Sequence, residues 1–95
     1  MYEIYNELRK GKTFYLVAGL SMQNTECLTK ITSNRIRYYP SNQFGWGEHI
    51  QIGNTNNYVN IYEYKDYHIT DNSDVKEVDI TQSNNYKIHI YALKN

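Results

Sequence analysis

Strict alternation of apolar and polar side chains over residues 86–93 is the feature that most constrains this chain of 95 residues. Successive side chains of a β-strand point to opposite sides, so such alternation gives one apolar and one polar face. The two faces here are Ile88, Ile90 and Ala92 on one side and Lys87, His89 and Tyr91 on the other. The pattern favours an antiparallel sheet with one face on the core and the other in water.

Six further segments are predicted as strands because apolar and β-branched residues recur in them between small polar turns. They are residues 13–20, 25–32, 35–39, 48–52, 58–65 and 75–80. Ser33 and Asn34 predict a tight hairpin between the second and third of these segments. Pro40 ends that pair, since proline lacks the N–H that a strand ladder needs.

The first residues predict one short helix, over residues 1–11. Tyr2, Tyr5 and Leu8 recur at helical spacing, acidic residues come early and basic residues late, and Gly11 stands where a helix would stop. The chain is too short for two cores, so residues 1–95 are predicted to form one domain. The expected fold is mainly β (α+β), a single curved antiparallel sheet or small barrel with this helix packed against it.

Tyrosine replaces much of the aliphatic core material. The chain has 11 Tyr but only 2 Phe and 1 Trp, and a tyrosine ring buries apolar area while its hydroxyl stays hydrated. The lone cysteine, Cys27, cannot form an internal disulfide, which is compatible with a reducing compartment. Neither a secretory signal nor a membrane-spanning run is visible, so a cytoplasmic protein is expected.

Motifs for catalysis and cofactor binding are missing from the sequence. No serine stands in a G-x-S-x-G turn, and Cys27 has no histidine near it in sequence. The glycines match neither of the common phosphate-binding loops. The sequence therefore predicts no enzyme activity, no catalytic residues and no cofactor.

Three histidines, His49, His68 and His89, are each followed by isoleucine. If the isoleucines face the core, all three imidazoles face solvent, and adjacent strands could bring them together as metal ligands. Chance pairing in an isoleucine-rich sheet is the simpler explanation, because the strand order is not known from sequence and no supporting hydrogen-bond partners are recognisable. The prediction is that no metal is bound.

The stretch YVNIYEY, beginning at Tyr58, places its tyrosines opposite Val59 and Ile61. Tyrosine gives a large contact area at little entropic cost, and the Asn- and Ser-rich loops supply adaptable hydrogen bonds, which favours recognition of a protein partner. Trp46, between two glycines, either caps the open end of the core or anchors that partner. The predicted partner-binding residues are Trp46, Tyr58, Tyr62, Tyr64 and Tyr67.

Single-stranded nucleic acid is the alternative partner, because aromatic rings on a sheet can stack unpaired bases. Arg35 and Arg37 with Tyr38 and Tyr39 form the one locally basic aromatic segment, with Lys30 across the predicted hairpin. The formal net charge of zero argues against this alternative, since phosphate neutralisation dominates non-specific affinity.

A small ligand and a second copy of the chain are also compatible with the sequence as partners. The ligand could bind between the helix and the open end of the sheet, near Trp46. A homodimer could form if residues 86–93 were an unpaired edge strand. The Asn- and Tyr-rich composition is what an AT-rich genome would encode, so we expect an accessory or inhibitor protein of a phage or other mobile element, acting in the host cytoplasm.

Overall fold

The structure, a computed structural model, describes residues 1–20, 28–41, 45 and 47–94. One helix and eight strands occur in this part of the chain. In chain order they are α1 (Tyr2–Leu8), β1 (Thr13–Gly19), β2 (Thr29–Ser33), β3 (Ile36–Tyr39), β4 (His49–Asn54), β5 (Asn57–Ile61), β6 (Asp66–Asp71), β7 (Val75–Thr81) and β8 (Lys87–Leu93).

The strands form two antiparallel sheets. The larger has the order β2-β1-β8-β7-β6, and the smaller has the order β3-β4-β5. The predicted class, mainly antiparallel β with one short N-terminal helix, is confirmed. The smaller sheet lies over the inner face of the larger one, and the end of β2 contacts β4 and β5.

Alternation within each strand builds the core between the sheets. In the larger sheet Leu16 pairs with Ile31 on one side and with Ile90 on the other, and all three are buried. In the smaller sheet Ile50 pairs with Ile61, and both are fully buried. Burying such aliphatic side chains stabilises a domain by roughly 1.5–3 kcal/mol each. This apolar layer fixes which side chains face outward on both sheets.

Helix α1 is shorter than the sequence predicts, with seven residues, and buries Ile4 and Leu8 against the core. It contacts β3 and β7, so it covers the core beside the smaller sheet. Gly11 allows the chain to turn closely into β1, because a Cβ there would lie 2.8 Å from the Cβ of Ala92. No described helix has the length and apolar character needed to cross a membrane.

The hairpin predicted around Ser33 and Asn34 is wrong. Strand β2 pairs with β1, and β3 pairs with β4 in the other sheet. The hydroxyl of Ser33 is buried with the core and accepts a hydrogen bond from the backbone N–H of Arg35 at 3.0 Å, which supports a turn from one sheet to the other. Lys30 therefore does not lie across from Arg35 and Arg37.

Two other strand predictions also need correction. The strand predicted over residues 58–65 ends at Ile61, and a separate strand, β6, begins at Asp66. Strand β8 is not an edge: it pairs with β1 on one side and β7 on the other along all seven of its residues. The edge on which the predicted homodimer depends is therefore already paired within the chain.

Candidate functional site

The outer face of the smaller sheet carries rows of aromatic, amide and cationic side chains. Ile50 and Ile52 of β4 face the core, so His49 and Gln51 face outward. Cross-strand register completes each row with outward residues of β3 and β5. The rows are Tyr39 and His49, then Arg37, Gln51 and Asn60, then Gly53 and Tyr58.

His49 forms the centre of a three-ring stack. Its imidazole lies 4.8 Å from the Tyr39 ring with an interplanar angle of 15°, and 4.7 Å from the Tyr62 ring. Only 5% of His49 is exposed although it faces away from the core. Its Nδ1 lies 2.9 Å from the carbonyl oxygen of Gly47, which can only accept, so Nδ1 carries the hydrogen and Nε2 is the acceptor of the neutral ring.

A cleft of about 540 Å³ opens beside this stack; we call it the aromatic cleft. Its walls include Tyr58 and Tyr62, which are 48% and 54% exposed. Its remaining lining residues are Tyr39, Gly45, Gly47, His49, Gln51 and Asn60. Rings exposed to this degree beside an open cleft can stack on a flat ligand.

Gly53 allows the hairpin between β4 and β5 that positions Tyr58. Its φ is +127°, a region that side chains with a Cβ rarely adopt. A Cβ at Gly53 would also lie 2.3 Å from the carbonyl oxygen of Asn57 and 2.6 Å from the Cα of Tyr58. Glycine is therefore required for Tyr58 to cross this close to β4.

Two cationic clefts continue from the aromatic cleft, one after the other. One, of about 280 Å³, shares Gln51 and Tyr58 with it and is also lined by Arg35 and Arg37. The other, of about 580 Å³, shares Arg35 and Arg37 with the cleft of about 280 Å³. It is also lined by Gly11 and Lys12, which directly precede β1. We call the three clefts together the arginine-tyrosine groove. Its defining residues are Arg9, Lys12, Arg35, Arg37, Tyr39, Gln51, Tyr58, Asn60 and Tyr62.

The charge of this groove is uncompensated. None of the described residues that line the three clefts is Asp or Glu. Among the residues that the structure describes, the ion pairs involve other cations, so the four in the groove have no acidic partner. All four are exposed: Arg9, Lys12, Arg35 and Arg37. The groove is therefore a positive strip on a chain whose formal net charge is zero.

The acidic side chains are engaged elsewhere. Lys76, only 4% exposed, binds Glu7 and lies 3.6 Å from Asp71. The hydrogen bond from Lys76 lowers the pKa of Glu7, and the one from Lys94 lowers the pKa of Asp71. The hydrogen bond to Glu7 also raises the pKa of Lys76. These carboxylates stabilise the fold and do not neutralise the groove.

The structure brings together five residues from the two surfaces that the sequence predicts. Tyr58 and Tyr62, expected to bind a protein, share the groove with Arg35, Arg37 and Tyr39, expected to bind nucleic acid. The register of β3, β4 and β5 explains this meeting, since these strands are neighbours.

The other predicted site residues lie elsewhere. Tyr38 packs against the helix, with its ring 5.0 Å from that of Tyr2, and its hydrogen bond to Glu48 raises its pKa to about 12. Tyr64 and Tyr67 are half-buried and pack edge to face with ring centroids 5.1 Å apart. Trp46 lies outside the described residues.

Sequence reasoning missed several groove residues. Gln51 and Asn60 follow from alternation around Ile50 and Ile61, but only once the strands are paired. Arg9 and Lys12 enter the groove because the helix ends beside β3, which no local pattern indicates.

The three histidines do not converge. His49 is in the smaller sheet, whereas His68 and His89 lie in the larger sheet on either side of Asp79. Within the described residues, no group of three or more metal-ligating side chains is placed to hold a metal ion.

Comparison with known proteins gives no relative. No protein-family model matches the chain, and neither the curated proteins nor the solved structures include a significant match.

Proposed function

We propose that this protein is a non-enzymatic binding protein that holds single-stranded nucleic acid along the arginine-tyrosine groove. The observation that carries the proposal is the continuity of that groove. Four cations without an acidic partner among the described residues lead, through shared lining residues, into a cleft walled by exposed tyrosine rings.

The two ends of the groove suit the two parts of a nucleotide. Arginine forms paired hydrogen bonds with phosphate oxygens, and neutralising phosphates releases condensed counterions. Tyrosine rings stack on bases with little dependence on sequence. Arg37 and Tyr58 both line the smallest of the three clefts, so phosphate and base contacts can be made by one short segment.

A single strand suits the groove better than a duplex. The exposed faces of Tyr58 and Tyr62 can be covered only by bases that are not stacked inside a helix. The net charge of zero matters less than it does for the sequence alone, because the described residues that line the groove include cations and no acid. Binding should therefore be strongly salt-dependent.

Fluorescence anisotropy with labelled 12-nucleotide DNA and RNA strands tests the proposal, with a duplex of the same sequence for comparison. The variant Arg35→Glu/Arg37→Glu should weaken single-strand binding by about 100-fold, because two charged contacts become repulsive. The salt dependence of the affinity should also flatten by about 0.7 for each phosphate that is no longer neutralised.

The matched control is Lys30→Glu/Lys87→Glu, which changes the net charge equally on exposed residues of the larger sheet. It should retain most of the affinity. Equal losses in both double variants would show that only overall charge matters and would overturn the groove as the site. No binding of either single strand by the unaltered protein would overturn the function.

Recognition of a protein partner is the second candidate. The observation that favours it is that the aromatic cleft has no charged residue in its described lining and that two of its tyrosines, Tyr58 and Tyr62, are exposed over about half of their surface. On this proposal the protein is an accessory or inhibitor from a phage or other mobile element, acting in the host cytoplasm. Capture from nuclease-treated lysate with the protein and with Tyr58→Ala/Tyr62→Ala separates the candidates. A specific protein retained only by the unaltered chain would favour this one.

A further inference from the structure

The aromatic cleft places an amide side chain between two tyrosines of one chain segment. Tyr58 and Tyr62 stand two residues to either side of Asn60. All three side chains line the cleft. Two partly exposed phenol rings beside a polar side chain suit a planar heterocycle with a hydrogen-bonding edge.

Two amide side chains line the aromatic cleft next to the tyrosines. Asn60 pairs directly with Gln51 across β4 and β5. The Oδ1 of Asn60 is buried and accepts no hydrogen bond from the described residues, while its Nδ2 donates to the hydroxyl of Tyr62 at 3.3 Å. Gln51 accepts a long hydrogen bond from Tyr39 at 3.4 Å, so its own amide hydrogens remain available. An unfilled acceptor thus lies beside available donors.

This arrangement distinguishes among the bases by chemistry. Asn and Gln amides match adenine, whose amino group donates beside a ring nitrogen that accepts. Guanine is most often read by Arg or Lys, and cytosine by Asp or Glu, and the described lining of the aromatic cleft contains none of these four residue types. We infer that the aromatic cleft is a subsite for one unpaired adenine base, an inference that rests on the proposed function.

The adjoining cleft is suited to bind the phosphate group of the same nucleotide. It shares Gln51 and Tyr58 with the aromatic cleft and is lined by Arg35 and Arg37. A base stacked on the tyrosines can therefore place its phosphate near two exposed arginine side chains. The base replaces the hydroxyl of Tyr62 as the acceptor for the Asn60 amide.

Titration of the ¹⁵N-labelled protein with the 5′-monophosphates of adenosine, cytidine, guanosine and uridine tests the subsite by NMR. The adenine nucleotide should saturate at a concentration at least about fivefold lower than the other three, the discrimination expected from one amide pair. The side-chain amide signals of Asn60 and Gln51 should shift with it. Asn60→Ala should remove the preference, and Asn72→Ala, at an exposed turn, should keep it.

The outcomes separate the subsite from the function. Equal responses to all four nucleotides, or no response from a protein that still binds the 12-nucleotide strands, would overturn the adenine subsite and leave the proposed function standing. Failure of both nucleotides and strands to bind would overturn both. If Asn60→Ala is unfolded, Gln51→Ala is used in its place. An adenine preference that is unchanged in that variant would overturn the role of the two amides in recognising adenine.

Discussion

The outer faces of the two sheets both expose tyrosines, yet they treat charge in opposite ways. On the larger sheet Asp79 lies between His68 and His89 in register, and it contacts the imidazole of His89. On the smaller sheet the row through Arg37 and Gln51 contains no acid. One face places an acid against an imidazole across its strands, and the other carries arginines that have no acidic partner among the described residues.

The difference shows why exposed tyrosines alone do not identify a binding surface. Tyr15 and Tyr91 are cross-strand neighbours on the larger sheet and are exposed to a similar degree as Tyr58 and Tyr62. Such pairs stabilise a sheet by roughly 0.2–1 kcal/mol, which is sufficient reason for their presence. Uncompensated cations and a cleft beside the rings are what set the smaller sheet apart.

The largest effect expected on the smaller sheet comes from Gly53→Val. A β-branched residue at a φ of +127°, with its Cβ against the backbone of Asn57, should cost about 3 kcal/mol or more of the free energy of unfolding. Gly47→Val is the control, because nothing lies within 4 Å of its Cβ position and its φ is not in the positive region. Urea denaturation of both variants measures the difference. Equal stabilities would contradict the requirement for glycine at the hairpin.

The charge contrast can be abolished by placing a carboxylate in the groove. Gln51→Glu would lie opposite Arg37, as Asp79 lies opposite His89. We expect affinity for single strands to fall about 30-fold, or about 2 kcal/mol, since the new acid both neutralises the arginine and repels phosphate. Thr70→Glu on the larger sheet is the control and should change affinity little. Anisotropy titrations of both variants at one salt concentration measure their affinities for a single strand.

Two alanine substitutions test whether the exposed tyrosines of the two sheets differ in their contribution to binding. Tyr62→Ala should weaken single-strand binding by about tenfold, within the range of 1–3 kcal/mol for loss of one stacked base. Tyr15→Ala, on the other sheet, should leave it unchanged within about twofold because its ring is outside the groove. Similar losses in both variants would remove the distinction drawn between the two faces.

The smallest expected effect is on stability in acid, which should depend on the ion pair between Lys76 and Glu7 but not on the unpaired cations of the groove. The pKa of Glu7 is lowered in the fold, so its contribution to stability is present above the unfolded value of roughly 4 and is lost as pH falls through the folded value. The melting temperature should drop between about pH 5 and pH 2. Lys76→Met should weaken this dependence, whereas Arg37→Met should not. Circular dichroism melts across that range test it.

At high pH the same ion pair makes stability fall as pH rises, through the titration of Lys76. The raised pKa of Lys76 means that its contribution is complete below the unfolded value, about 10.4, and is lost as pH rises through the folded value. A chain lacking this lysine should therefore lose less stability in alkali.

Alternation was sufficient to predict the class of fold but not the partners of the strands. The pattern in 86–93 correctly indicated an antiparallel strand, since each side chain's burial follows from its own position. Pairing depends on residues far apart in the chain, so the local pattern at Ser33 predicts a hairpin although the turn there joins two sheets. The groove cannot be predicted for the same reason: Arg37 and Tyr58 lie in different strands, and only β4 between them makes them neighbours.

The order of the strands also has a consequence for how the chain acquires its shape during synthesis. The smaller sheet joins strands that follow one another in sequence, so β3, β4 and β5 can pair as soon as Ile61 has emerged. The larger sheet has β8 at its centre, with Thr13 paired to Leu93. Such long-range pairings close slowly, because loop entropy is lost before the strands pair. The groove-bearing strands are therefore made early in synthesis, whereas the core closes only with the arrival of β8.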